Sequence, residues 1–217
     1  MNTQSIGQNL LDTANRLRDR ELLFHGNHAN LSVRSGERML MTRGGDVAQL
    51  RADDLDWVGL DGSGQEAFQP TFREVIEMHA KVYSQRRDFG GIIHCHPAHL
   101  TAFAIAQQPL PAVYEPLLRL GIHEEVPVVA WAPRGSQESV DGILRAFVNP
   151  AISAVLLSNH GVLVAGADLG EALARLTALE EAAELVLHAR ALGGAKPLPK
   201  AAYEEVVGRQ HQFQMTS

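Results

Sequence analysis

The chain has little with which to cross-link itself, cross a bilayer or grip a polyanion. Cys95 is its single cysteine among 217 residues, which excludes an intramolecular disulfide and fits a reducing compartment. No segment reaches the roughly 18 consecutive apolar residues of a membrane-spanning helix. The first 20 residues also lack the unbroken apolar stretch of a secretory signal. A cytoplasmic protein is therefore expected. The 19 Lys and Arg are outnumbered by 25 Asp and Glu, for a net charge of −6, and the basic residues form no cluster, so neither a nucleic-acid nor a membrane partner is expected.

What the chain does have is enough apolar residue, 45% of the total, for one sizeable core. A single domain over residues 1–217 is expected, with 195–217 a C-terminal tail segment. Ile6, Leu10, Ala14 and Leu17 recur at helical spacing, which predicts an opening helix that ends before His25-Gly26-Asn27. Residues 30–34 and 39–42 read as strands joined by Ser35-Gly36-Glu37-Arg38, with a third strand at 57–60, so the first third reads as an antiparallel meander. A helix is predicted over 73–86, a strand over 90–96 stopped by Pro97, and a further helix over 98–106. Strands follow at 126–131 and 154–157, with a helix over 140–147 between them. Asp168 followed by Glu171 imitates a capping box, and leucines then run at helical spacing to Gly193-Gly194. The sum is an α/β fold: a three-layer sandwich with a central, largely antiparallel sheet flanked by helices.

Ten histidines is a generous number for this length, and their placement matters more than their count. His94 and His96 flank one residue on a predicted strand, where side chains alternate between faces. Both imidazoles then point one way and Cys95 the other. Ser158-Asn159-His160-Gly161 follows the apolar run at 154–157 and puts a third histidine where a strand meets a glycine turn, although a turn histidine bonded to a neighbouring carbonyl has the same appearance. A close pair plus a distant third is the ligand count of a metal site that keeps an open position.

An ordered series of motifs then resembles the class II aldolase/adducin family. It comprises Ala29 to Arg34, Leu40-Met41-Thr42-Arg43-Gly44-Gly45, Glu74 to Tyr83, Ile93-His94-Cys95-His96, and Leu157-Ser158-Asn159-His160-Gly161-Val162. The resemblance implies that His94, His96 and His160 hold one divalent metal ion, Zn2+ first, with Mn2+, Co2+ or Fe2+ as other occupants. It also implies a homotetramer with the site at the subunit boundary, completed by a C-terminal residue. Tyr203 is the candidate for that residue, the alternative being a surface residue of the tail.

The family's acid/base carboxylate precedes the helix at 74–83, where Glu74 is the first choice and Glu77, three residues on, the alternative. Here the sequence departs from the family: Pro70-Thr71-Phe72-Arg73-Glu74 stands where Pro-Ser-Ser-Glu is usual, and His79 falls one residue late, as a core or supporting histidine. The family's phosphate pocket is retained at Asn30 and Thr42, while Arg43, Gly44, Gly45, Thr71 and Phe72 replace its other members. Arg43 carries a planar fork suited to a carboxylate, or is an exposed turn residue.

A metal on three neutral imidazoles keeps its double charge and stabilises the anion left when a carbon–carbon bond breaks. The altered pocket tilts the reading toward a lyase acting on a small hydroxy or oxo acid, or a hydroxylated aromatic acid, by decarboxylation or retro-aldol cleavage. A sugar-phosphate aldolase or 4-epimerase is the alternative. In other classes stand an iron-dependent oxygenase and a non-catalytic adducin-like binding module. In each catalytic reading the partner is a small anionic substrate.

Overall fold

The computed structural model describes residues 3–23 and 28–208. Its element order is α1 (Thr3–Asp19), β1 (Ala29–Ser35), β2 (Arg38–Thr42), β3 (Leu55–Gly59), α2 (Arg73–Gln85), β4 (Gly91–Cys95), α3 (Ala98–Ala106), α4 (Glu115–Arg119), β5 (Val128–Val129), α5 (Gln137–Ala146), β6 (Ala154–Leu157), β7 (Gly161–Gly166), α6 (Leu169–Ala189) and α7 (Lys200–Gly208). The first helix ends at Asp19, before His25-Gly26-Asn27 as predicted; those three residues lie outside the described ones.

The strands form one seven-stranded sheet in the order β3-β2-β1-β4-β7-β6-β5. Every neighbouring pair is antiparallel except β5 with β6. The meander of the first third is present, its first turn made possible by the left-handed Gly36 at φ 63°. Period-two alternation then splits each strand between two cores. Leu31, Leu40, Ile93, Cys95, Val162 and Val164 pack beneath α1, α3, α4 and α6. Met39, Met41, Val58, Ile92, Val155 and Leu163 pack beneath α2 and α5, where Phe89 and Phe147 meet edge to face. This is the three-layer sandwich expected from the sequence. Each of these buried aliphatic side chains contributes on the order of 1.5–3 kcal/mol by leaving water.

Three local readings are corrected. The strand expected at 126–131 is only Val128–Val129, because it is a sheet edge that opens on Pro127, a residue with no amide to pair, and Val126 instead bridges Leu110. Gly161–Gly166, not read as a strand, is the fully buried β7; glycines at both of its ends made it resemble a turn. At the start of α6, Asp168 Oδ1 accepts the amide of Glu171 at 2.8 Å as a capping box requires, but Glu171 Oε2 accepts from Ala167 N, one residue earlier than the reciprocal bond calls for. No helix of the described residues is long and apolar enough to cross a membrane.

Candidate metal centre

Sheet register assembles the site. His94, near the end of β4, pairs with Asn30 of β1 on one side and Leu163 of β7 on the other. The turn entering β7 therefore lies beside the mouth of β4. In that turn Asn159 takes a left-handed φ of 58° and the His160 amide bonds Leu157 O at 2.9 Å, which lifts the His160 ring back toward β4. Gly161 permits the approach: a Cβ there would stand 2.6 Å from Cys95 O and 2.6 Å from His96 Cδ2.

The result is a triad of imidazoles. Their candidate ligand atoms all lie within 4.8 Å of one another, and their ring centroids are 4.9, 4.8 and 4.9 Å apart. Backbone carbonyls fix two of the rings. His94 Nδ1 lies 2.9 Å from Val162 O and His96 Nδ1 lies 3.1 Å from His28 O. A carbonyl only accepts, so each Nδ1 carries the proton and each Nε2 keeps its lone pair for the centre. The Nε2 of His96 is buried without any protein partner, an orphan that a cation in the triad would satisfy.

Electrostatics keep the rings in the ligand state. Burial holds His94 well below the ordinary histidine range, with His160 and His96 pushing the same way. Burial lowers His96 as well. His160 is held down to about 4, first by burial, then by the facing His96 and by Arg134. Three neutral nitrogen donors with an open side fit a divalent ion of the zinc type.

The triad opens into a cavity of about 1080 Å³. Asn30, Arg43, Gly44, Gly45, Thr71 and Glu74 from the sequence reading all line it with His94, His96 and His160. Glu77 does not: it pairs with Lys81 at 2.6 Å and its side chain is 47% exposed. Thr42 is also absent from the wall. Alternation along β2 turns it to the Leu40 face, opposite the cavity, where its Oγ1 accepts the Leu31 amide at 3.3 Å. Tyr203 lies elsewhere, on α7 against α4, with its hydroxyl donating to Ala112 O at 3.0 Å. Arg43 does reach the rim, but it also donates to Ala67 O at 3.0 Å and to Asp53 O at 3.4 Å.

Beneath the wall lies a closed polar chain. His79, on the buried face of α2, sits between Asn30 Oδ1 and Ser32 Oγ, and Ser32 in turn meets the Tyr83 hydroxyl. Burial pushes His79 down to about 3, so the ring is neutral. Sequence reasoning overlooked Arg134, Gln69 and Thr101, which also line the cavity. The first had a signal: Pro133-Arg134-Gly135 is a turn with a charged tip just after a strand, where function concentrates. Gln69 and Thr101 carried none.

Comparison with known proteins agrees with this architecture. The sequence profile of the Class II Aldolase and Adducin N-terminal domain matches residues 8–187. The chain belongs to this family. It is 27% identical to the L-fuculose phosphate aldolase of Escherichia coli O6:H1 over 95% of its own length and 93% of that protein. A solved L-fuculose 1-phosphate aldolase superposes with a TM-score of 0.82 at 26% identity, covering 96% of this chain and 97% of that one. YgbL from Klebsiella pneumoniae, provisionally assigned as an aldolase, epimerase or decarboxylase, superposes at 0.79 with 26% identity over 95% and 99% of the two chains.

Proposed function

We propose that this protein is a metal-dependent aldolase that reversibly cleaves a carbon–carbon bond in a small phosphorylated hydroxy-carbonyl compound. The observation that carries the reading is the imidazole triad with its orphaned His96 Nε2, facing the same cavity as the Glu74 carboxylate. The likeness to L-fuculose phosphate aldolases along nearly the whole chain favours the sugar-phosphate alternative of the sequence reading over a plain aromatic acid.

His94, His96 and His160 would hold the ion. When bound, it supplies Lewis-acid stabilisation of the negative charge that develops on the carbonyl side as the bond breaks. In cleavage the substrate hydroxyl loses its proton as its carbon becomes the aldehyde, and this proton balances the one Glu74 delivers to the carbon left behind; in the synthetic direction Glu74 removes a proton from that carbon. Asn30, the Gly44-Gly45 backbone, Thr71 and Arg43 form an anion-binding rim for the phosphate. Gly45 keeps that rim tight to β1: its carbonyl accepts from Ala29 N at 2.8 Å, and any Cβ on it would collide with the His28 ring. We expect Zn2+ as the ion. We also expect a homotetramer, in which Tyr203 serves a neighbouring subunit's site.

The test is to incubate zinc-loaded protein with L-fuculose 1-phosphate, related sugar 1-phosphates and the corresponding phosphorylated sugar acids, and to follow release of the two carbonyl fragments. Metal-dependent cleavage of any of these is the expected result. A fully zinc-loaded protein that cleaves none of them overturns the reading.

A further inference from the structure

Arg134 plays no part in the mechanism above. It sits at the tip of the turn between β5 and α5, with its Nη2 2.8 Å from Oε1 of Glu74. The pair lines both the main cavity and a narrower recess shared with Asn30, His94 and His160. Gly135, at φ 71°, presses the turn onto the same carboxylate: a Cβ there would stand 2.8 Å from Glu74 Oε2.

As a stabilising ion pair this is poor. The Arg134 side chain is 70% exposed, and solvent-exposed ion pairs contribute little to stability. As a device inside a cavity it is informative. The guanidinium engages one oxygen of Glu74, Oε1, so opening the pair frees that oxygen for proton transfer. A second carboxylate is the natural agent, because the planar guanidinium fork accepts one as readily as another. Arg43 is a weaker candidate for this role, because it is tied to the Ala67 and Asp53 carbonyls.

We propose that Arg134 selects a substrate carboxylate at the Glu74 end of the cavity, and that the incoming carboxylate displaces Glu74 from the guanidinium, so that binding an acid also frees Glu74 for proton transfer. Resting on the aldolase reading, this narrows the substrate class to phosphorylated hydroxy-oxo acids, with the phosphate at the rim of Arg43 and the carboxylate at Arg134. Sugar phosphates with a neutral end lack the group that displaces Glu74, so they are cleaved more slowly than the acids.

Calorimetric titration of the zinc-loaded protein with two small probes tests this. The first is 2-phosphoglycolate, which carries phosphate and carboxylate. The second is 2-hydroxyethyl phosphate, in which an alcohol replaces the carboxylate. Wild type should bind phosphoglycolate more tightly. Arg134→Met should weaken that binding roughly 10- to 100-fold, the worth of a hydrogen bond to a charged group, and leave hydroxyethyl phosphate unchanged, while Arg134→Lys should recover only part of the loss. Glu74→Gln should tighten phosphoglycolate binding when Arg134 is present and fail to do so in the double variant.

Equal weakening of both probes by Arg134→Met, or weakening of neither, overturns the proposal. So does a wild type with no preference for phosphoglycolate. Tightening by Glu74→Gln that persists without Arg134 would mark simple charge repulsion and overturn the exchange. A protein that binds phosphoglycolate through Arg134 yet cleaves none of the phosphorylated sugars and sugar acids would keep the carboxylate site and lose the aldolase reading.

Discussion

The Nε2 atom of His79 lies 2.6 Å from Oδ1 of Asn30, and that contact decides which end of the Asn30 amide meets the cavity. An amide oxygen only accepts, so His79 Nε2 is the donor in that contact and His79 Nδ1 accepts from the Ser32 hydroxyl at 2.7 Å, while the Tyr83 hydroxyl donates to Ser32 O at 3.0 Å. His79 therefore carries its proton on Nε2 and donates it to Asn30 Oδ1. The Asn30 NH2 group is left facing the cavity as a donor to an anion.

His79→Leu breaks this chain. It should raise the KM for a phosphorylated substrate about tenfold through loss of an oriented donor, with stability reduced by about 1–3 kcal/mol for the buried groups left unpaired. Metal content should stay at wild-type level, and His79→Gln, which can still donate to Asn30, should recover part of the KM. A His79→Leu enzyme that is less stable but has an unchanged KM would reduce the residue to a packing role.

The same histidine makes a pH-dependent contribution of known sign. In the folded chain burial holds it down to about 3, whereas unfolded it titrates near the ordinary value of about 6.5. On acidification the unfolded chain takes the proton first. The stabilisation is therefore fully present above about pH 6.5 and is lost, at up to about 1.4 kcal/mol per pH unit, as pH falls toward 3. His94 and His160 are lowered too, so the comparison must be with His79→Gln in metal-free protein. Denaturant midpoints between pH 7 and pH 4 should show the stability of wild type relative to this variant falling with pH, and a constant difference would refute it.

At the metal centre, purified protein should carry one divalent ion per chain. His94→Ala or His160→Ala should abolish its retention, and a chelator should lower the melting temperature reversibly. Gly161→Ala should act on the same site without removing a ligand, because its Cβ would press on Cys95 O and on the His96 ring at 2.6 Å. Elemental analysis and zinc titration should show weaker binding by roughly 10- to 100-fold, the usual effect of disturbing the support of a ligand. Stoichiometric zinc in His160→Ala would remove that histidine from the centre.

For proton transfer, Glu74→Gln should retain metal and lose on the order of 10²–10⁴ in turnover. Glu77→Gln should stay near wild type, because Glu77 faces solvent beside Lys81. The reverse ranking in steady-state assays would move the acid/base role one helical turn along α2.

The residues themselves determined whatever depends on chain-local geometry. Alternation along β4 put His94 opposite Cys95, and helical spacing fixed the buried face of α2 with His79 on it. The cap at Asp168 started α6 where it was expected. Glycine misled only where it closed a strand, at Gly161 and Gly166, since the glycine there answers to a neighbour's closeness that no local pattern reveals. Tertiary structure decided everything that depends on register or on two loops meeting. Pairing of β1 with β4 set Asn30 beside His94, and the frame of β2 turned Thr42 away from a cavity to which its sequence neighbour Arg43 reaches. The turn at 133–135 closed over α2 and joined Arg134 to Glu74, 60 positions apart in the numbering. Periodicity dictates which face a side chain takes, whereas the identity of what lies across from it is settled only when distant segments bury their apolar faces against one another.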